Sequence, residues 1–332
     1  MRVLVTGGTG FIGSVVVAQL VAAGHDVRCL VRTTSNTQRI DHVPYEKAVG
    51  DVRNPEALRQ AVRGCDAILH LAGLSAWDEI KSPAMHDVVA GGTKNVLDAA
   101  MAEGQPRTVV VSSSIAVNGT EQPVIQDETS ACTLNLASRD FVYAKAKIDA
   151  EALCRRAVEQ GLPVVVVNPC EVYGPNDTKL VTAGNLKDVA NSSPALICRG
   201  GTSVVHVDDV AAGIIAAMER GRVGERYVLG GDNLTVRQLA ELTIDILGQK
   251  KSILELPNGL IRTLAHVGEA LHIPLPFNPM VIPYATLFWF FDNAKARSEL
   301  RVSFRGAREC LEPAVSWLVE AGHVKATTRP RA

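Results

Sequence analysis

The sequence predicts an α/β protein, a doubly wound parallel sheet followed by a smaller, mixed α/β C-terminal domain. Three observations predict it. A short apolar run, Arg2 to Thr6, passes through a glycine-rich turn into an apolar helical segment from Ser14 to Ala23. Strand-length apolar runs then alternate with helix-length segments as far as Tyr173, the pattern of repeated strand–helix–strand crossovers. Past Tyr173 the alternation loosens into Gly-, Asn-, Ser- and Thr-rich stretches and a proline-rich apolar region. The first domain is expected at 1–173, with 204–220 returning to its sheet as a strand and helix. Residues 174–203 and 221–332 are expected to form the second.

Composition narrows the classes. At 332 residues the chain has room for about two domains, and 47% hydrophobic against 21% charged residues is a globular composition. Lys+Arg (34) nearly equals Asp+Glu (35), so no net field recruits nucleic acid or an anionic membrane. The seven cysteines are scattered without a C-x-x-C pair, which reads as reduced thiols in a cytoplasmic protein. No signal-peptide pattern opens the chain. The 281–291 segment falls far short of the roughly 20 apolar residues of a membrane span.

In chain order, the first turn reads Gly7-Gly8-Thr9-Gly10-Phe11-Ile12-Gly13. Glycines let a backbone approach a pyrophosphate closely, and a helix N-terminus offers free N–H groups to it. Strand, glycine turn and helix together therefore point to a bound dinucleotide. The second strand, Asp26 to Val31, ends at Arg32, followed by Thr33, Thr34 and Ser35. NAD-binding folds usually place an acid about 20 residues past the glycines. An arginine fork with small hydroxyls suits a 2′-phosphate instead, so NADP(H) is favoured and NAD(H) stays open. Next comes Gly50-Asp51-Val52-Arg53, in which Asp51 suits either the adenine amino group or the N-cap of the helix that Pro55 opens. The run 67–72 is a buried strand ending in Leu71-Ala72-Gly73, small enough for its backbone to lie against a flat ring. His70 reads as a core histidine. Val88 to Ala102 is expected as a helix, and Thr108 to Val111 as a strand closing on Ser112-Ser113-Ser114.

Residues 143–151, Tyr-Ala-Lys-Ala-Lys-Ile-Asp-Ala-Glu, favour helix. Positions i and i+4 share a face, so Tyr143 and Lys147 meet. An ammonium beside a phenol is expected to lower the phenol pKa and fit the tyrosine for proton transfer.

The set T-G-G-T-G-F-I-G, G-D-V-R, H-L-A-G, V-S-S-S-I-A-V-N-G, Y-A-K-A-K and N-P-C-E-V-Y-G-P-N-D resembles the extended short-chain dehydrogenase/reductases. The resemblance implies a Rossmann fold and a Ser114/Tyr143/Lys147 catalytic centre. It also implies a cofactor shell that includes Pro169 and Val172 beside the glycine-turn, Asp51–Val52 and 71–73 residues. Two positions depart from the pattern. Val89 stands where the family often has Asn, and Asn168 stands where sugar-nucleotide members usually have Arg. With Val-Arg ending the second strand, the latter looks like the dihydroflavonol-reductase-like branch. That branch also holds bacterial sugar epimerases, so it leaves the reaction open. The leading expectation is an NADP(H)-dependent reductase of a small, apolar or aromatic carbonyl compound, and a nucleotide-sugar epimerase or dehydratase comes second. The aromatic cluster at 281–291 is expected as core, as a homodimer patch or as a wall of the substrate site.

Overall fold

The computed structural model describes residues 1–325. Seven parallel strands form the main sheet: β1 (Arg2–Thr6), β2 (Asp26–Val31), β3 (Glu46–Val49), β4 (Ala67–His70), β5 (Arg107–Val111), β6 (Val164–Pro169) and β7 (Arg226–Leu229). Their order is β7-β6-β5-β4-β1-β2-β3. The order reverses between β1 and β4, and a crevice opens beyond the carboxyl ends of the strands at such a switch point.

Strand side chains alternate between two cores. Val3, Val5, Leu69, Val109 and Val167 pack on one face with helices α1 (Phe11–Ala22) and Val207–Arg220. Leu4, Ile68, Val110 and Val166 pack on the other with α2 (Pro55–Val62), α3 (Gly92–Ala102) and α4 (Val142–Glu159). Both faces are buried, which is why these strands read as continuous apolar runs rather than alternating ones.

A second sheet runs Asn233–Thr235, Gly201–His206, Phe288–Phe291, Ile125–Gln126, and Glu171–Tyr173 pairs with the Gly201–His206 strand. This redraws the expected partition of the chain. The strand before Val207–Arg220 lies in the second sheet, and only the helix returns to the first. The returning strand is β7, and Ile125–Gln126 crosses the other way. Local pattern marks a strand but not its partner, because pairing is settled by contacts distant in sequence. Helix α5 (Ala183–Asn191) lies within the loop-rich stretch past Tyr173.

The expected Val88–Ala102 helix is interrupted. Residues Asp87–Gly91 form a π-turn before α3, and within it the Val89 carbonyl accepts the Thr93 hydroxyl at 2.6 Å. Phe288, Trp289, Phe290 and Phe291 are all buried, so this part of the aromatic cluster is a core strand. No helix among the described residues is long and apolar enough to cross a membrane.

Candidate active site

The glycine turn is shaped by close packing. Gly7 has φ +75°, and a Cβ there would sit 2.6 Å from the Ala72 nitrogen. A Cβ on Gly13 would lie 2.1 Å from the Gly7 carbonyl oxygen. The turn thus draws the first residues of α1 against the end of β4. Gly10 is the N-cap, no side chain caps the helix, and no acidic residue occupies its first turn. These free amides and the uncompensated positive dipole end fit a dinucleotide pyrophosphate.

A cleft of about 1630 Å³ runs from this turn into the C-terminal part of the molecule. Every residue that the sequence marked as catalytic or cofactor-binding lines it, except Lys147. At one end Arg32 is exposed, with its backbone N–H on the Ser35 hydroxyl at 3.1 Å. Asp51 lies nearby, its carboxylate held by Arg53 through contacts of 2.9 Å. Those bonds bring its pKa down to about 2. Asn54 caps α2, accepting from the Glu56 and Ala57 amides, so the capping role open to Asp51 falls away. His70 is a core residue, 2.7 Å from the Thr6 hydroxyl and 3.1 Å from that of Thr93. Burial pushes its pKa down to about 3.

Tyr143, Lys147 and Glu151 form one buried face of α4. The Lys147 ammonium lies 5.8 Å from the centre of the Tyr143 ring and donates to the Val111 carbonyl at 3.0 Å. The expected lowering of the phenol pKa is not met. Burial instead raises it to about 12, opposed by a hydrogen bond from the Ser113 hydroxyl. Burial also brings Lys147 down to about 8, while Glu151 pulls the other way. The expectation weighed one charge and not the loss of water around both groups.

Ser113 is the serine that touches Tyr143, whereas the Ser114 hydroxyl rests against the Cys170 thiol. A three-residue 3₁₀ turn begins at Ser114 and is capped by Ser113. It breaks the two-residue alternation, so counting along the triplet could not choose between them.

Asn168 was expected to bear on what the substrate site accepts. It is fully buried and does not line the cleft. Its amide donates to the Ser113 carbonyl at 2.8 Å and to Glu151 at 2.7 Å. The other Glu151 oxygen faces Arg226 at 3.3 Å, and Arg226 also donates to the Glu128 and Ser130 carbonyls. The guanidinium therefore comes across the sheet from β7. Val89 is also buried, and both it and Lys147 approach Gly73.

Beyond Tyr143 the lining turns apolar, with Trp77, Leu196, Ile197, Phe277, Ile282, Tyr284 and Trp289. Tyr284 packs on Trp77 at 5.6 Å and on Phe141 at 5.4 Å, and the Trp289 indole donates to its carbonyl at 2.9 Å. The aromatic cluster is thus both core and wall.

A dinucleotide fold with a tyrosine–lysine pair at the switch point defines a nicotinamide-dependent oxidoreductase class. Residues 3–230 match the model of the NAD dependent epimerase/dehydratase family, and the chain belongs to that family. It is 31% identical to a Synechocystis sp. protein provisionally named dihydroflavonol 4-reductase, over 97% of this chain and 95% of that one. It is 33% identical to the 4-hydroxy-2-methyl-3-oxo-4-farnesyl-3,4-dihydroquinoline-1-oxide ketoreductase of Stigmatella aurantiaca, over 82% of this chain and 80% of that one. Among solved structures, a double mutant of the dTDP-glucose 4,6-dehydratase DesIV from Streptomyces venezuelae, with NAD and DAU bound, superposes with a TM-score of 0.75. That pair is 26% identical, covering 96% of this chain and 97% of the other.

Proposed function

We propose that the protein is an NADP(H)-dependent carbonyl reductase acting on a small, apolar or aromatic substrate. The observation that carries this reading is the distribution of charge along the cleft. Among the described residues its Lys and Arg side chains are Arg32, Arg39, Arg53 and Lys179. Arg32 and Arg53 flank Asp51, and Arg39 donates to the Asn176 carbonyl and the Thr178 hydroxyl next to Lys179. Around the aromatic wall the lining includes the carboxyls of Glu171 and Asp188 and, among the described residues, no Lys or Arg. Arg199, Arg262, Arg297, Arg301 and Arg305 do not line the cleft. A nucleotide-sugar diphosphate needs cationic partners, and this lobe offers it carboxylates.

The glycine turn, Arg32 and the 71–73 backbone would hold the cofactor, with Arg32 reaching the 2′-phosphate. When bound, the reduced nicotinamide supplies hydride to the carbonyl carbon. Tyr143 supplies the proton to the carbonyl oxygen. Ser113, which already donates to the same phenol, is the hydroxyl we assign to that oxygen in place of Ser114. Lys147 keeps a positive charge beneath the tyrosine and, through Val111, fixes the helix to the end of β5.

The test is incubation with NADPH and a panel of apolar aldehydes and ketones, and separately with nucleotide-sugars. Loss of absorbance at the reduced-nicotinamide band in step with alcohol formation is expected. Epimerised or dehydrated sugar without net NADPH consumption, alongside silence on every carbonyl, would overturn the reading. The likeness to the dTDP-glucose dehydratase makes that the alternative to exclude.

A further inference from the structure

Glu171 stands in the substrate lobe without a role in hydride or proton transfer. It follows Cys170, whose thiol touches Ser114, and its backbone pairs with Val204 in the second sheet. One carboxyl oxygen accepts the Tyr173 hydroxyl at 2.8 Å and the Asn185 amide at 2.7 Å. The Thr202 hydroxyl also donates to the carboxyl. Among the described residues no Lys or Arg pairs with it, and burial pushes its pKa up. The side chain is half-buried and lines the cleft. A half-buried carboxyl with no cation costs stability, and such groups concentrate at functional sites.

Its surroundings restrict what it can take. Three neutral donors lock the group in place, leaving acceptor capacity turned to the cleft. The polar groups nearest Glu171 along this wall are largely engaged with the protein itself. The Asn185 amide donates one N–H to Glu171, the Thr182 hydroxyl donates to the Val172 carbonyl at 2.5 Å, and Asp188 is itself an acceptor. The rest of the lobe is apolar, with Leu196, Phe277 and Ile282. From this geometry we infer that Glu171 is a specificity-determining residue that receives a hydroxyl group carried by the otherwise apolar carbonyl substrate. A hydroxyl matches the acceptor while losing far less hydration than an ammonium on entering an apolar lobe. The inference rests on the carbonyl-reductase reading for its substrate class, and its test separates the two.

The probes are 4-phenylbutan-2-one and 4-(4-hydroxyphenyl)butan-2-one, which share a skeleton and differ by one hydroxyl. Binding to the NADP⁺-loaded protein is followed by ligand-observed NMR, and turnover by NADPH oxidation. The wild type is expected to bind the hydroxylated ketone about tenfold or more tightly, the scale of a hydrogen bond to a charged group. Glu171→Gln should bring the two within about twofold, the acceptor then being neutral and partly spent. Glu171→Met, close in length, covers the case in which the amide variant fails to fold, and it must lose the preference likewise. An undiminished preference in both variants, binding of neither ketone, or tighter binding of a 4-aminomethyl analogue overturns the inference. A preference that depends on Glu171 without turnover of either ketone upholds it and overturns the reductase reading. Turnover of both ketones with no such preference does the reverse.

Discussion

Tyr143 is under two opposed influences. Burial raises its pKa to about 12, while the hydrogen bond from the Ser113 hydroxyl acts the other way. Tyr143→Phe should leave folding and cofactor binding nearly intact and lower single-turnover hydride transfer by about a hundredfold, the scale of a lost general acid. Near-normal transfer in the variant would refute the assignment. Ser113→Ala should cost more turnover than Ser114→Ala, and the reverse order would return the role to Ser114. Arg32→Ala should weaken NADPH binding about tenfold or more, as expected for a charge-assisted phosphate contact. NADH binding should barely change, and titrating both cofactors against both proteins decides it. His70 links the same region to acid stability. Its folded pKa of about 3 lies below the ordinary histidine value of 6.5, so between those limits the unfolded chain binds the extra proton. Stability from this residue is therefore present above pH 6.5 and lost progressively on acidification. From pH 7 to pH 5 the loss should be about 2 kcal/mol, and His70→Gln, which cannot titrate, should lack that component in urea titrations at the two pH values.

At the scale of an element, α4 works as a rigid ruler. Its four-residue spacing puts Tyr143, Lys147 and Glu151 on one face, and each group meets a different part of the main sheet. Lys147 reaches β5, and Glu151 reaches Asn168 on β6 and Arg226 on β7. Glu151 thus fastens the catalytic helix to the backbone of Ser113, which shares the Asn168 amide. Glu151→Leu should destabilise the fold by about 3 kcal/mol, because it strands the Arg226 charge and the Asn168 amide. Glu151→Gln should be milder and should move the Lys147 titration downward, since the carboxylate that supports the ammonium is gone. Lysine side-chain NMR reads that shift without any substrate, and an unmoved Lys147 titration would deny the coupling.

At the scale of the whole molecule, the two sheets are interleaved rather than serial. β7 belongs to the first sheet though it follows strands of the second, and Ile125–Gln126 joins the second from within the first. The cleft lies over both, so the cofactor end and the substrate lobe cannot part without breaking sheet pairing. Calorimetric unfolding should accordingly be one cooperative transition, and two resolved transitions would argue for separable domains.

The sequence by itself determined the doubly wound fold, the glycine turn and the Tyr143/Lys147 face. These rest on local regularities: glycine spacing, apolar runs of strand length and the four-residue repeat of a helix. It left to the tertiary structure the partner of each strand in the second sheet and the contact of Ser113, rather than Ser114, with Tyr143. It also left undecided the burial that raises the Tyr143 pKa, and the place of Asn168 beneath the serine turn rather than in the substrate lobe. Each of these depends on groups brought together from distant parts of the chain, where hydrogen-bond partners and the loss of water act through space. Asn168 makes the point most directly: an unusual residue type was visible along the chain, but only the packing of Glu151 and Arg226 around it revealed what it holds.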